Sequence, residues 1–180
     1  MTKTIVKDKN DLRIIILSLN ENYKDFNDLY DYSSIMDMSF MFENCHNLKT
    51  IPLLNTKNVI DMSFMFENCY NLETIPLLDT KNVIDMKGMF QNCSNLKTIP
   101  LLNTQKVENM KGMFFKCEKL EIKPLLDIKN FTDTKYMFYN CKNIEEKAIV
   151  EQKQKEKIKI EGKKTIKDIN DKLGKDNLSL

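Results

Sequence analysis

The sequence predicts an α/β solenoid, a fold in which one short unit is repeated and each unit packs against its neighbours. The first observation is a period of 24 residues: Ile60–Val83 is preceded by a near-copy at Met36–Val59 and followed by another at Ile84–Val107. The second is that all five cysteines and all four prolines keep this period. A fixed period of roughly 20–29 residues is typical of leucine-rich repeats. We therefore expect four full repeats and one partial repeat, built of short parallel strands and short helices, in residues 35–144.

Residues 1–34 are expected to form an N-terminal cap, because the first repeat of a solenoid otherwise exposes apolar surface. Alternation in Thr2–Val6 favours a short strand, and Asn10 is a suitable N-cap for a helix from Asp11 to about Leu19. Apolar residues at helical spacing predict the buried face of that helix, namely Leu12, Ile15, Ile16 and Leu19.

Each repeat is expected to contain a short strand, as in Leu72–Thr80. This segment fits the spacing L-x-x-L-x-L-x-x-N, which points Leu72, Ile75 and Leu77 inward and leaves Leu78 nearer the open face. The column of prolines should end the pairing between strands, because proline has no N–H to donate.

The other half of the repeat changes period, as Asp61–Cys69 illustrates. Met62, Met65, Phe66 and Cys69 stand at i, i+3, i+4 and i+7, which is one face of a helix. Asp61 is a suitable N-cap. The segment is therefore predicted to form a helix of about two turns.

Two polar columns predict contacts between repeats. One consists of asparagines just before the cysteines, whose amides are expected to form hydrogen bonds with backbone groups at a turn: Asn44, Asn68, Asn92 and Asn140. The other alternates in charge, so that neighbouring repeats carry opposite signs: Lys49, Glu73, Lys97 and Glu121. Each exposed pair is worth under about 1 kcal/mol, but the alternation penalises slips in register.

Residues 145–180 differ in composition, being rich in both lysine and acidic residues. Apolar residues at helical spacing in Thr165–Leu173 favour a polar C-terminal cap, and the charge content is also compatible with a disordered tail. Both alternatives stay open at the level of sequence.

The charges argue against some classes of partner. The chain has 28 Lys and Arg residues against 26 Asp and Glu residues, interspersed along its length. Proteins that bind nucleic acid or membrane surfaces need a concentrated basic footprint, so neither partner is expected. The apolar run near the N-terminus is too short for a signal peptide, and no stretch is long enough to span a bilayer. We therefore expect a cytoplasmic monomer whose partner is another protein.

The cysteines indicate core positions. They lie 24 residues apart, there is no C-x-x-C pair, and His46 is the one histidine, so no metal or cofactor is expected. Reduced thiols that fill small core positions are the favoured interpretation.

The phrase D-M-S-x-M-F-x-N-C-x-N-L, as it stands in Asp61–Leu72 and in its equivalents 24 residues away, resembles the BspA-like leucine-rich repeat proteins of bacteria. The resemblance covers about Tyr30–Ile144. It implies a repeat fold and a binding role, since family members are often secreted or surface-anchored and some bind host extracellular proteins. The opening segment is similar to the short, leaderless members.

No catalytic constellation is visible, since His46 has no recurring Ser, Asp or Cys partner and the glycines are isolated. We expect a non-catalytic protein-binding module rather than an enzyme. Its specific form is a small inhibitor of a bacterial defence or host enzyme, such as a CRISPR effector. The alternative is an extracellular adhesin whose leader is absent from this sequence.

Two surfaces are candidates for partner binding. The first is the open strand face, made of hydroxyl, proline and leucine columns: Thr50, Thr74, Thr98, Pro52, Pro76, Pro100, Leu54, Leu78 and Leu102. The alternative for its leucine column is packing in the core. The second is an aromatic cluster on the other half of the repeat, where later repeats carry glycine, serine or glutamate: Phe40, Phe64 and Tyr70, extended by His46. The alternative for these aromatic residues is packing against the N-terminal cap helix.

Overall fold

The computed structural model describes residues 2–19, 26–121, 124, 126, 128 and 132–144. The chain divides into two compact units, Met1–Ile144 and Glu145–Leu180. All described residues belong to the first unit. The cap or tail expected at residues 145–180 lies outside the described residues.

The N-terminal segment contains strand β1 (Thr4–Ile5), helix α1 (Lys9–Ser18), helix α2 (Phe26–Leu29) and strand β2 (Tyr30–Asp31). The two strands pair in parallel, with Thr4 opposite Tyr30 and Ile5 opposite Asp31. The strand predicted in Thr2–Val6 and the helix predicted after it are both present.

Helix α1 begins two residues earlier than the sequence indicated. Its N-cap is Asp8 rather than Asn10, and the Asp8 carboxylate accepts hydrogen bonds from the backbone N–H groups of Asn10 and Asp11 at 2.6 and 3.4 Å. The predicted apolar face is confirmed. Leu12 and Ile16 are fully buried, and Ile15 and Leu19 pack against the same core.

In the described residues from Asp37 to Ile144, the equivalent turns of successive repeats lie parallel and in register. Bridges join the same position of successive repeats: Asp37, Asp61, Asp85, Asn109 and Asp133. After each of the first four of these residues, every second backbone N–H donates to a carbonyl of the following repeat, as Phe64 does to Lys87 at 2.8 Å and Phe66 to Met89 at 2.9 Å. We call this part of the chain the repeat stack.

The helix predicted over Asp61–Cys69 is absent, and the segment forms a series of turns instead. Alternate backbone N–H groups, which an α-helix would use for its internal hydrogen bonds, donate to carbonyls of the next repeat. The N–H groups between them close tight turns, as Met65 does to the Met62 carbonyl at 3.2 Å. Phe64 and Asn68 have φ values of 55° and 60°, which interrupt any right-handed helix. The helix prediction was wrong because these turns also place residues three and four apart on one inward face.

The strand predicted over Leu72–Thr80 is also absent, and the parallel pairing lies at the aspartate column instead. The buried side chains of this segment are Leu72, Ile75 and Leu78, whereas Leu77 is 61% exposed. A spacing of three is typical of an extended, polyproline-like backbone, whereas a strand has a spacing of two. The expected orientations of Leu77 and Leu78 are therefore reversed.

The core of the repeat stack consists of columns of identical side chains. Phenylalanine rings stack with centroids 5.3–5.5 Å apart along one such column: Phe42, Phe66, Phe90, Phe114 and Phe138. Buried threonines add hydrogen bonds between repeats: the Thr56 and Thr80 hydroxyls donate to the carbonyls of Asp79 and Asn103 at 3.0 and 2.9 Å.

The aspartate column caps turns rather than helices. The Asp61 carboxylate accepts a hydrogen bond from the Ser63 backbone N–H at 2.8 Å, and Asp85 does the same for Lys87 at 2.7 Å. This contact holds the first turn of each repeat in the shape that the next repeat requires.

The polar columns make contacts between repeats, but the asparagine amides bond to one another and not to backbone groups as expected. The Asn68 amide donates to the Asn44 side-chain oxygen at 2.9 Å, and Asn92 donates to Asn68 at 2.7 Å. Lys97 and Glu73 form an exposed ion pair at 3.4 Å. Asn44, Asn68 and Asn92 also have positive φ, a conformation that asparagine tolerates better than most residues.

The predicted core positions of the thiols are confirmed for four of the five cysteines, which are fully buried: Cys69, Cys93, Cys117 and Cys141. Each thiol donates to a backbone carbonyl 27 residues earlier, as Cys69 does to Phe42 at 3.0 Å. Burial raises the pKa of Cys69 to about 12. Cys45 differs, being half-buried, and its sulfur lies 3.6 Å from a guanidinium nitrogen of Arg13.

Candidate functional site

The residues predicted for the strand face do not share one surface. Thr74 and Thr98 are exposed and Thr50 is half-buried, whereas Pro52 is buried and Pro76 and Pro100 are half-buried. The leucine column of this prediction lies in the core, with exposed fractions of 2–3% for Leu54, Leu78 and Leu102. The alternative of core packing therefore holds for these leucines, and the structure does not present them to a partner.

The leucine that precedes each of these buried leucines is exposed instead. Leu53, Leu77 and Leu101 are 57, 61 and 71% exposed and form a ladder along the repeat stack. They form the wall of a groove of about 1050 Å³ whose lining also includes the buried leucine column and the buried threonines. We call it the leucine groove. Sequence analysis missed the exposed leucines because it applied a strand period of two to a segment with a period of three.

The predicted aromatic residues lie in the first two repeats as two stacked pairs. The rings of Phe40 and Phe64 stack with centroids 5.0 Å apart and planes 16° apart, and those of His46 and Tyr70 stack at 5.0 Å and 14°. Phe40 and Tyr70 are 45 and 43% exposed, and Phe64 is half-buried. We call these four residues the aromatic patch.

The backbone beneath the aromatic patch is in an unfavourable conformation. Phe40 and Phe64 have φ values of 57° and 55°, and the equivalent residues of the next two repeats, Gly88 and Gly112, have φ values of 57° and 62°. Glycine adopts this left-handed region without steric cost, whereas a bulky residue pays about 1 kcal/mol or more. Two repeats thus carry a phenylalanine at a position for which glycine is better suited.

The neighbours of Phe64 fix where its ring lies. A methyl group added at Gly88 would overlap the Phe64 ring, so the absence of a side chain at residue 88 leaves room for that ring. The Lys87 ammonium lies 5.2 Å from the centroid of the same ring, within cation–π distance. The ring therefore has one defined position, between Phe40 and the backbone of the next repeat.

His46 is also held in place. Its Nδ1 lies 2.9 Å from the Asn68 carbonyl oxygen, which can only accept, so the proton of a neutral His46 ring is on Nδ1. The two stacked pairs of the aromatic patch are therefore both attached to the turns of the first two repeats.

Sequence analysis missed a second aromatic cluster, at the other end of the repeat stack. The rings of Phe115 and Tyr139 stack at 5.4 Å, Tyr136 packs edge-on against Tyr139 at 6.2 Å, and the Lys116 ammonium lies 5.5 Å from the Phe115 ring. The sequence did carry a signal, because Tyr136 occupies the same repeat position as Phe40 and Phe64 and also has a φ of 57°.

Across residues 2–19, 26–121, 124, 126, 128 and 132–144, no three His, Cys, Asp or Glu side chains come together to hold a metal ion. No helix within these residues is long and apolar enough to cross a membrane.

Comparison with known proteins adds a family. Searches of curated proteins and of solved structures each found no match to the chain. One family model matches residues 15–123 and again residues 71–161, and these matches overlap across the repeats. The chain therefore belongs to the repeat-protein family described as Mycoplasma protein of unknown function, DUF285.

Proposed function

We propose that this chain is a non-catalytic protein-binding module that recognises its partner through the aromatic patch. The observation that carries the proposal is the position of Phe40 and Phe64, whose rings stack at the surface on backbone with positive φ. Strained residues persist only where the surrounding structure holds them, and they cluster at functional sites. Glycine at the same position in the next two repeats indicates that the stack itself does not require an aromatic residue there.

The geometry also suits recognition energetically. Large aromatic side chains dominate the binding energy of many interfaces, because they bury much area at a small cost in conformational entropy. In this patch the cost is lower still, since the rings of Phe40 and Phe64 are already stacked before any partner arrives. Lys87 adds a positive charge at the rim of the patch.

The fold that presents the patch is, in this proposal, a leucine-rich-repeat solenoid of the BspA-like type. Parallel bridges between equivalent residues of successive repeats and the continuous phenylalanine column support it. A rigid array of this kind can hold several side chains at fixed distances without a partner present.

The proposal has two specific forms, which differ in where the partner is found. One is an inhibitor that covers a surface of a bacterial defence or host enzyme, such as a CRISPR effector. The other is an adhesin that binds an extracellular protein. Measuring the chain in cytoplasmic and surface fractions of cells that express it from its own gene separates the two forms.

The substitution Phe64→Asn tests the role of the aromatic patch. Asparagine tolerates a positive φ, so the change relieves about 1 kcal/mol of strain while it removes a ring stack worth about 0.5–1.5 kcal/mol. The free energy of unfolding should therefore change by less than about 1 kcal/mol, whereas affinity for the partner should fall at least about 30-fold.

The matched control is Tyr136→Asn, which changes the same repeat position at the second aromatic cluster. The partner is isolated by cross-linking to the wild-type chain, and its dissociation constant is then measured with purified proteins by calorimetry. Equal affinity of wild type and Phe64→Asn would refute the proposal, as would an equal loss in both variants.

A further inference from the structure

The second aromatic cluster has no role in the function proposed above. It lies in the fourth and fifth repeats and consists of four residues: Phe115, Lys116, Tyr136 and Tyr139. Tyr136 and Tyr139 are 63 and 52% exposed. We propose that this cluster, together with the neighbouring lysines Lys111 and Lys135, binds an acidic segment of a protein, independently of the aromatic patch.

Lys116 stands at a repeat position that favours asparagine. The equivalent residues of the other repeats are all asparagines with positive φ: Asn44, Asn68, Asn92 and Asn140. Their amides form hydrogen bonds between repeats, as Asn92 does to Asn68 at 2.7 Å. Lys116 has the same positive φ, 59°, which lysine tolerates less well than asparagine, and it carries no amide to continue these hydrogen bonds. The stack itself therefore does not require a lysine there.

Tyr136 is held on unfavourable backbone in the same way. Its φ of 57° matches those of Gly88 and Gly112 at the equivalent position. The two residues are connected, because the Lys116 backbone N–H donates to the carbonyl of Tyr139 at 2.8 Å and the Tyr139 ring contacts that of Tyr136. Unfavourable backbone conformations that persist in a fold cluster at functional sites.

Like charges lie side by side next to the cluster. Lys111 and Lys135 occupy equivalent positions of adjacent repeats, and the Gly112 N–H donates to the Lys135 carbonyl at 2.8 Å, which keeps the two repeats in register. The core phenylalanine rings of the same two repeats are 5.3 Å apart. Two lysines on backbones at this separation repel each other, and an anion bound between their ammonium groups offsets the repulsion.

The three lysines have no acidic partner in the part of the chain that the structure describes. No ion pair among the described residues involves Lys111, Lys116 or Lys135. The carboxylate of Glu118, which lies in the same repeat as Lys116, pairs with Lys142 at 3.3 Å instead. Carboxylates of another protein can therefore form ion pairs here that the chain does not form by itself.

The chemistry of the cluster favours an acidic protein segment over nucleic acid. Exposed Asp133 and the paired Glu118 remain among the lysines, so the surface is not uniformly basic. Nucleic acid carries a phosphate at every nucleotide and needs a concentrated basic footprint. A peptide with a few carboxylates can pair with the lysines and avoid these acids. The tyrosine hydroxyls can donate to the same carboxylates, and the rings offer apolar contact area.

Fluorescence anisotropy of the full-length chain with a labelled peptide tests the proposal. The probe is a peptide of about 12 residues in which glutamate alternates with alanine, and its matched control has glutamine in place of glutamate. We expect a dissociation constant of about 10–100 µM for the glutamate peptide at low salt, and binding at least about tenfold weaker for the glutamine peptide. Added salt should weaken the first interaction because it screens the charges.

The substitution Lys116→Asn locates the site. It restores the asparagine of the other repeats, so the urea midpoint should not fall, whereas affinity for the glutamate peptide should fall at least about tenfold. The matched control is Lys49→Asn, which removes the same charge from an exposed lysine of the first repeat and should leave peptide binding unchanged. Tyr136→Asn should also weaken binding, because it removes one ring and its hydroxyl.

Several results would overturn the proposal. Equal affinity of wild type and Lys116→Asn for the glutamate peptide places the site elsewhere, and an equal loss in Lys49→Asn shows attraction by overall charge alone. An oligothymidylate of about 12 nucleotides that binds more tightly than the glutamate peptide makes nucleic acid the ligand. Phe64→Asn should leave peptide binding unchanged, so failure of this proposal and failure of the aromatic patch are distinguishable.

Discussion

Replacing Lys9 and Arg13 of helix α1 with methionine should detach this helix from the first repeat. Within the repeat stack, carbonyls such as Ser63 and Glu67 accept N–H groups from the preceding repeat. The first repeat has no preceding repeat, and its equivalent carbonyls, Ser39 and Glu43, accept from Lys9 and Arg13 instead, at 3.0 and 3.2 Å. The two side chains thus take the place of a missing repeat.

These contacts set the free energy of unfolding that the two substitutions remove. Lys9 also donates to the Ser39 hydroxyl at 3.0 Å and forms an ion pair with Asp37 at 2.9 Å, and the Lys9 side chain is 28% exposed. A hydrogen bond from a charged group is worth about 1.5–3 kcal/mol, and less where water reaches it. Lys9→Met and Arg13→Met should each lower the free energy of unfolding by about 1–2 kcal/mol. Methionine keeps the apolar part of each side chain, so the change removes the donors alone.

Urea denaturation followed by circular dichroism measures this loss, and hydrogen exchange locates it. The double variant should lose about 2–4 kcal/mol, with faster exchange of amides in α1 and the first repeat. Lys7→Met, which changes an exposed lysine just before the helix, is the control. A double variant as stable as this control would refute the reasoning, because the carbonyls of the first repeat would then be satisfied without the helix.

Two further predictions concern titratable groups. Burial acts to raise the pKa of Asp37, but hydrogen bonds from Ser39 and Lys9 outweigh it and hold the pKa below its ordinary value. The stabilisation of the folded state by ionised Asp37 should be complete above about pH 4 and disappear as the pH falls through the folded-state pKa. The urea midpoint should therefore fall less in acid for Lys9→Met than for wild type. At about pH 8, iodoacetamide should modify half-buried Cys45 well before Cys69, because burial raises the pKa of Cys69 to about 12. Mass spectrometry of timed samples measures the two rates. Equal rates would mean that the first repeat opens readily.

The sequence predicted which columns are buried far better than it predicted the backbone that buries them. Met62, Met65, Phe66 and Cys69 are all fully buried, as helical spacing indicated, yet no helix is present. In a series of turns where one residue in four is left-handed, side chains point inward at nearly the same interval as in a helix. A pattern of apolar residues therefore cannot distinguish such turns from a helix. The positive φ at Phe64, which separates them, is marked in the sequence only by Gly88 and Gly112 at the equivalent positions of the next two repeats, and these glycines were interpreted as isolated.

The candidate sites show the same contrast between features that the sequence predicted and features that it did not. Aromatic residues that interrupt the repeat were visible in the sequence, and the structure stacks them at the surface as Phe40 on Phe64. The leucine groove was not predictable, because which of Leu77 and Leu78 faces water depends on whether the segment has a period of two or three. The partner of Lys9 was equally hidden, since a backbone carbonyl 30 residues away leaves no pattern in the sequence.

The position of the Phe64 ring can be tested through the glycine that lies beneath it. Gly88→Ala introduces a methyl group at a φ of 57°, which costs about 1 kcal/mol, and this methyl also overlaps the Phe64 ring. Gly112→Ala introduces the same methyl at a φ of 62°, where the nearest atoms lie 3.5 and 3.8 Å away. The two substitutions thus share the backbone cost and differ in the overlap.

Gly88→Ala should therefore lower the free energy of unfolding by about 2–3 kcal/mol, and Gly112→Ala by about 1 kcal/mol, as measured by urea denaturation. Adding Phe64→Asn should remove the difference between the two alanine variants, because no ring is left for the methyl to displace. Displacement of the ring by Gly88→Ala should also weaken partner binding, whereas Gly112→Ala should not. If the two alanine variants are equally stable, the Phe64 ring does not lie over residue 88, and the geometry of the aromatic patch on which the proposed function rests is refuted.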